Sequence, residues 1–405
     1  MLTQQGQVAM PGDAKARNRQ RMLQAVRSGK VLTAAEISRM TGISRQTVKR
    51  FLQHYCQLGV VASVGFGEST SAGGKKPELF QFCDARKMLC INLWPKAITL
   101  AMSNLVGEVY AGKQIPHQLS DDLDQDLDDA YALALDYLSG QHETLEALYG
   151  VVLTVPGTVD YDTKALRYNS QSPGWGMGVN MEEKLRARFG AKLAYYVDNA
   201  GKAAGRALLL EHPEYAAHRL LTLFTTWGVS ACLIEKGHVL NGRDSLIGEI
   251  GHMIISDTDG AQCGCGKRGC LESMVSLQRV RAMLVGLGED EKSADEMTLR
   301  RLFERSAAGE ERARQISAYL AHCFAAALQN LSLSYNQELV VFQGDFAWAD
   351  AHFDACLKEE LSQFRYYPIG RLFAIDYDRR ELSVLAAQGG AGKLSEKYFS
   401  ALADA

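Results

Sequence analysis

The chain has 405 residues, is 47% hydrophobic and carries a formal net charge of −3, so it can bury several cores and is expected to fold as two or three domains. Its small charge excludes a molecule that binds nucleic acid or membrane over its whole surface. No run of 18 apolar residues predicts a membrane span, and the start, MLTQQGQVAMPGDAKARNRQ, lacks the apolar centre of a signal peptide. A cytoplasmic protein with reduced thiols is therefore expected. The cysteine count of nine is odd, and Cys56, Cys83, Cys90, Cys232, Cys323 and Cys356 are scattered singly, which argues against a disulfide scaffold.

The first eighty residues form a compositional unit of their own. From Ala14 to His54, ten lysines and arginines stand against one acid, Glu36, a local basic footprint in a slightly acidic protein. In NRQRMLQAVRSG (18–29), Met22, Leu23 and Val26 recur at helical spacing and Gly29 is a fitting stop. Thr33 and Glu36 make a capping box for a short helix. Gly42 follows in a turn, and Ser44 caps a third helix with Val48, Leu52 and Tyr55 on its apolar face. Two short helices joined at a glycine describe a helix-turn-helix. The second offers Arg45, Gln46, Thr47, Lys49 and Arg50 near its N-terminal end, where major-groove contacts are made. Arginine can read guanine, and glutamine adenine, through paired hydrogen bonds. VVASVGFGESTSAGGKKPELFQF (60–82) predicts two strands around a lysine-tipped hairpin, a wing whose Lys75 and Lys76 would meet phosphate or the minor groove. Residues 1–82 are thus expected to be a winged helix-turn-helix that binds a double-stranded DNA operator.

Further along, MLCINLWPKAITLAM (88–102) reads as a strand, and LSDDLDQDLDDAYALALDYLSG (119–140) as an amphipathic helix with an acidic, solvated start. Residues 287–337 read as helices whose Ala/Leu-rich second half is buried. Between these lies CGCGKRGCLE (263–272). Cys263, Cys265 and Cys270 supply three thiols, and glycines at 264, 266 and 269 let the backbone bend tightly enough to point them inward. A redox motif would need C-x-x-C, which is absent. The nearest imidazole upstream is His252, in IGEIGHMIIS. Three thiolates and one imidazole predict a structural zinc site.

GEIGHM followed by CGCGKRGCLE resembles the signature of the ROK family, which groups sugar kinases and sugar-responsive repressors. The resemblance extends over most of the chain. GVVLTVPGTVD (150–160) is similar to a family strand and loop near the sugar, and NSQSPGW (169–175) to its sugar-lobe segment. VVFQGD (340–345) and AAQGGAG (386–392) resemble its late nucleotide-side strands, and the Gly-Gly-basic-basic-Pro wing is similar to that of its repressor branch. The resemblance implies an α/β, actin-like body of two lobes around a cleft. It implies zinc on His252, Cys263, Cys265 and Cys270, and sugar contacts from Glu249, His252, Glu272 and Asn199. The expected division is 1–82 for the DNA-binding domain, 83–198 with 381–405 for the first lobe, and 199–380 for the second lobe with the zinc site. A homodimer or homotetramer is expected, and a protein partner from sugar transport is a further candidate.

A kinase of this fold needs glycine-rich loops whose N–H groups hold phosphates, and a carboxylate base. The family's first phosphate loop resembles Asp-x-Gly-Gly-Thr, yet Asn92, Trp94 and Pro95 stand in its place. The second resembles Gly-Thr-Gly-x-Gly-Gly-Gly, yet LFTTWGVSACL (223–233) keeps only Gly228. The catalytic stretch resembles Asn-Asp-Ala-Asn. Against YYVDNAGKAAG (195–205), the favoured register puts Asn199 on the first asparagine and Ala200 where the base should be; a shift would make Asp198 the base. The expectation is a repressor without enzymatic activity, whose DNA affinity answers to a sugar or sugar phosphate. The alternative is an ATP-dependent sugar kinase carrying a DNA-binding domain.

Overall fold

The computed structural model describes residues 11–28, 30–68, 76–169, 171–256, 260–363 and 373–404. Helix α1 (Pro11–Val26) begins earlier than the expected start at Asn18 and buries Met22, Leu23 and Val26; Gly29 lies outside the described residues. After β1 (Leu32–Thr33), the capping box forms as expected: the Thr33 hydroxyl accepts from Glu36 N–H, and the Glu36 carboxylate accepts from Thr33 N–H. Helix α2 (Ala34–Thr41) stops at Gly42, whose φ of 70° suits a residue without a Cβ. Ser44 caps α3 (Arg45–Gln57), which buries Val48, Phe51, Leu52 and Tyr55. Strands β2 (Val61–Phe66) and β3 (Glu78–Phe82) pair antiparallel as the wing, and β1 adds to the free edge of β3.

Residues 88–102 are not one strand. Pro95, which cannot donate to a ladder, sits in a tight turn between β4 (Lys87–Trp94) and β5 (Ala97–Asn104), which pair from Trp94 opposite Ala97 outward. Next come β6 (Val109–Pro116), helix α4 (Leu123–Gly140) and β7 (Leu148–Val155). A small sheet of β8 (Thr158–Val159), β9 (Ala165–Tyr168) and β10 (Val179–Asn180) leads to α5 (Met181–Phe189) and β11 (Ala194–Asn199). The main sheet has the order β11-β7-β4-β5-β6, with α4 and α5 packed on one face.

The start of α4 departs from the expected solvated face. Asp126 is 1% exposed. Its carboxylate accepts from the Ser120 N–H at 2.9 Å and the Trp175 indole N–H at 2.7 Å, so this acid ties the helix to Trp175.

Helix α6 (Ala200–Glu211) leads into a second sheet of β12 (Leu220–Thr225), β13 (Val229–Glu235), β14 (His238–Val239), β15 (Leu339–Gly344) and β16 (Ala374–Asp378), in the order β14-β13-β12-β15-β16. Helices α7 (Leu271–Val275), α8 (Leu277–Gly286), α9 (Glu291–Asp295), α10 (Leu299–Ala307), α11 (Glu311–Ser334) and α12 (Ala351–Ser362) build one core with this sheet, and the second half of α11 is buried as expected.

The run 386–392 is helical, not a strand. It lies in α13 (Leu382–Asp404), which crosses back to the first sheet against α6. Its glycines are there for packing: a Cβ on Gly389 would lie 1.7 Å from the Ala203 carbonyl oxygen. The far end of α13 joins the DNA-binding domain. Tyr398 and Phe399 share a core with Leu23, Leu52 and Tyr55, the Tyr55 hydroxyl donates to Leu402 O at 2.7 Å, and Arg19 donates to Ala403 O at 3.1 Å. No helix among the described residues is long and apolar enough to cross a membrane.

Candidate functional site

Because α3 turns its apolar face into the domain core, Arg45, Gln46, Lys49 and Arg50 stand exposed together on the opposite face. Thr47 is half-buried, and its N–H and hydroxyl both meet the Ser44 hydroxyl, so it shapes the helix start. Gln53, one turn further on, extends the exposed face and was not singled out from the sequence. Lys76 is exposed beside the wing; Lys75 lies outside the described residues.

Some 200 residues on, the cleft between the two sheets holds a pocket of about 80 Å³ lined by Asn199, Glu249, His252 and Glu272. All four are half-buried. Glu249 Oε1 accepts from the Thr158 hydroxyl at 2.9 Å, a bond between the two halves of the body. Glu272 Oε2 accepts from Val229 N–H at 2.9 Å. Burial raises the Glu272 carboxyl above its ordinary value, an effect that the Val229 N–H and the His252 ring partly offset. Thr158, Tyr168 and Gln171 also line it. The sequence pointed to the segments of Thr158 and Gln171 but not to Tyr168, and nothing in a lone threonine, tyrosine or glutamine marked the individual side chains. Paired carboxylates, an amide and a hydroxyl around a small space are the groups that hold vicinal hydroxyls.

Immediately behind the pocket, His252, Cys263, Cys265 and Cys270 bring their ligand atoms within 4.8 Å of one another. His252 Nδ1 is 3.6 Å from Cys263 Sγ, and Cys265 Sγ is 3.7 Å from Cys270 Sγ. Gly266 and Gly269 adopt φ of 85° and 72°, the bends the thiols need; at Gly269 a Cβ would also lie 1.7 Å from Ser256 O. Burial pushes the Cys270 thiol up to about 12, so thiolates packed here need a cation to compensate them. This cluster could hold a metal ion.

The two loops compared above with phosphate loops meet each other. Trp94, 8% exposed, stacks on Phe224 with centroids 6.0 Å apart, and the Lys96 ammonium lies 4.7 Å from the centre of the Trp227 ring. Three of the loop's N–H groups are engaged internally: Thr226 donates to Gly228 O at 3.0 Å, Ala231 to Gly248 O at 2.7 Å, and Trp227 to the Thr226 hydroxyl. Gly228 survives because a Cβ there would lie 2.6 Å from Glu272 Oε2.

Asp198 is turned out of the pocket. Its carboxylate pairs with Arg206 and accepts from the Tyr196 hydroxyl at 2.6 Å. Ala200 carries no acid, and the Asn199 amide caps α6 through Lys202 N–H and donates to Gly157 O at 2.8 Å. Residues 198–200 therefore present no carboxylate to the pocket under either register.

A family model described as the ROK family matches residues 88–375. This chain belongs to the ROK family. A second model, a homeodomain-like domain, matches residues 13–63, so this ROK protein carries a helix-turn-helix ahead of its body. The ROK chain is 24% identical to the xylose repressor of Caldicellulosiruptor bescii, over 85% of its own length and 87% of the relative's. It is 28% identical to a glucokinase of Halalkalibacterium halodurans, over 58% of this chain and 72% of that one. A solved ROK family transcriptional regulator, a homologue of the E. coli Mlc protein, superposes with a TM-score of 0.75 at 19% identity, covering 95% of this chain and 98% of the other. A Streptomyces griseus ROK glucokinase, solved with glucose and AMPPNP, reaches 0.61 at 18% identity over 76% and 98%. These structural likenesses carry the fold.

Proposed function

We propose that this ROK protein is a sugar-responsive transcriptional repressor without kinase activity. It would bind an operator through α3 and the wing, and a sugar bound at Asn199, Glu249, His252 and Glu272 would change its affinity for DNA. The DNA-binding domain is residues 1–82 in this reading, and the lobes are 83–198 with 381–405 and 199–380. The observation that carries the reading is the course of α13. Leu382 and Ser383 line the cleft at one end, where Asn92 donates to Ser383 O at 3.0 Å, and Leu402 and Ala403 hold the DNA-binding domain at the other. A change in lobe arrangement on sugar binding would reach α3 through one continuous helix, misplacing paired recognition helices relative to their half-sites. Pairing of half-sites requires a homodimer or homotetramer.

Zinc is the ion proposed for the cluster. Ligands at about 2.3 Å (sulfur) and about 2.0–2.1 Å (nitrogen) from a tetrahedral zinc lie about 3.8 Å apart for two sulfurs and about 3.6 Å for sulfur and nitrogen. The observed spacings agree with both. With Nδ1 on the metal side, the other ring nitrogen of His252 is left for the pocket, where its N–H can point at a hydroxyl.

The test is selection of binding sites from a random DNA pool with the full chain, then titration of the selected operator with glucose, xylose and N-acetylglucosamine present. Operator affinity should fall with one of them. Failure to select any DNA overturns the repressor reading; DNA binding that answers to no sugar overturns the coupling and favours a protein partner from sugar transport as the signal.

A further inference from the structure

We infer that the pocket takes an unphosphorylated sugar and rejects the corresponding sugar phosphate. This rests on the repressor reading above and narrows its effector to a chemical class. The lining contains two carboxylates, Glu249 and Glu272, and among the described residues it contains no lysine or arginine. A phosphate monoester brings about −1.5 to −2 charges at neutral pH, and opposed to two carboxylates in a confined space it meets repulsion that no lysine or arginine of the lining offsets.

Nearby bases are committed elsewhere. Lys96 lies on the Trp227 ring and lines the larger cleft of about 930 Å³, outside the sugar pocket. Lys202 is 3% exposed and donates to Ser245 O at 2.9 Å and Asn241 Oδ1 at 3.3 Å. Arg206 is locked to Asp198 and Arg167 to Asp160. A zinc ion at the neighbouring cluster would add no positive field, because three thiolates outweigh a divalent cation.

Phosphate also needs N–H donors, and in the hairpin turn that faces the pocket Thr226 and Trp227 N–H are already engaged within the turn. Val229 N–H already serves the Glu272 carboxylate, which thereby occupies the position of an anion on this loop. Trp94, Pro95 and Phe224 form another part of the wall, where an indole and a ring close the space and a proline has no N–H. Hydroxyls, in contrast, find acceptors in both carboxylates and donors or acceptors in Thr158, Asn199 and His252. The same lining that spoils phosphate transfer thus selects a neutral polyol.

The experiment is calorimetric titration of the full, metal-loaded chain with glucose, xylose and N-acetylglucosamine, each beside its own phosphate ester. At least one free sugar should bind at least about a hundredfold more tightly than its ester. In the Gln171→Lys variant, which adds a cation at the exposed rim of the pocket, that gap should narrow by about tenfold. An ester that binds as tightly as its free sugar, or more tightly, overturns the inference and leaves the repressor reading standing. Binding of neither form overturns the sugar reading itself, and an unchanged gap in Gln171→Lys overturns the electrostatic explanation.

Discussion

The indole of Trp94 stacks on the ring of Phe224 across the cleft, with planes 12° from parallel and centroids 6.0 Å apart. Trp94 ends β4 and Phe224 lies in β12, so one contact joins the two sheets where a kinase would place its phosphates. In the reading proposed above, the loops that would hold a nucleotide in a kinase hold each other instead. Losing three charge-assisted hydrogen bonds, each worth roughly 1.5–3 kcal/mol, weakens nucleotide binding by roughly three to six powers of ten. Titration with ATP–Mg²⁺, with and without sugar, should give no saturable heat in the micromolar range. The Trp94→Gly/Trp227→Gly double variant should still form no phosphorylated sugar in a coupled assay, because Ala200 has no carboxylate to take a proton and Asp198 is held by Arg206 and Tyr196. Measurable product from either protein would restore the kinase reading.

The metal cluster predicts a linked loss. Purified protein should contain about one zinc per chain. Cys265→Ser removes the least buried of the three thiols, so it should lower zinc content while perturbing packing least. His252 would then lose its fixed orientation, and sugar affinity should fall by about ten- to a hundredfold, the range seen when support for a metal-held group is removed. Zinc-free wild-type protein with a normal sugar response would separate the metal from the pocket.

Signals that act within a few residues were legible in the sequence. The Thr33–Glu36 capping box, the left-handed Gly42 and the C-x-C-x4-C bends depend on hydrogen bonds and φ angles of adjacent residues, so their spacing is enough to read them. What was not legible depends on partners far along the chain. An acid at Asp126 looks solvated until Trp175, 49 positions away, brings its indole N–H to it. The Ala/Gly run at 386–392 suits a close backbone approach in a loop, strand or helix, and only the Ala203 carbonyl pressed against Gly389 explains why a helix holds it. In YYVDNAGKAAG, strand alternation places Asp198 and Asn199 on opposite faces. Which of the two faces the pocket is decided by Arg206 and Tyr196, which draw Asp198 away from it.

For the DNA face, the exposed residues of α3 and the wing should separate into two kinds. Arg45→Ala and Gln46→Ala should each cost about 1–3 kcal/mol on the selected operator and relax the preference at one base position. Lys76→Ala should weaken all sequences alike and reduce the salt dependence of binding by about one counterion. Comparable loss of specificity from Lys76→Ala would place the wing against bases. A uniform, non-specific loss from Arg45→Ala would move the reading helix's contacts to the backbone.

The hydroxyl of Tyr55 donates to Leu402 O from within the core that α3 shares with the end of α13. Tyr55→Phe removes that one bond and keeps the ring, which packs against Phe51 at 4.3 Å between centroids. Neither the pocket nor the exposed face of α3 is touched, so sugar affinity without DNA and DNA affinity without sugar should each stay within about twofold of wild type. The bond is worth about 1 kcal/mol in a typical setting. If it forms part of the path between sites, the factor by which sugar weakens DNA binding should shrink by about fivefold. Coupling between equilibrium binding sites is reciprocal, so the factor by which operator DNA weakens sugar binding must shrink by the same amount. Calorimetry of sugar with and without operator, set beside DNA titrations with and without sugar, measures both factors in one variant. Equal shrinkage places Tyr55 and α13 on the path, whereas an unchanged pair of factors in a normally folded Tyr55→Phe protein would route the coupling elsewhere in the body.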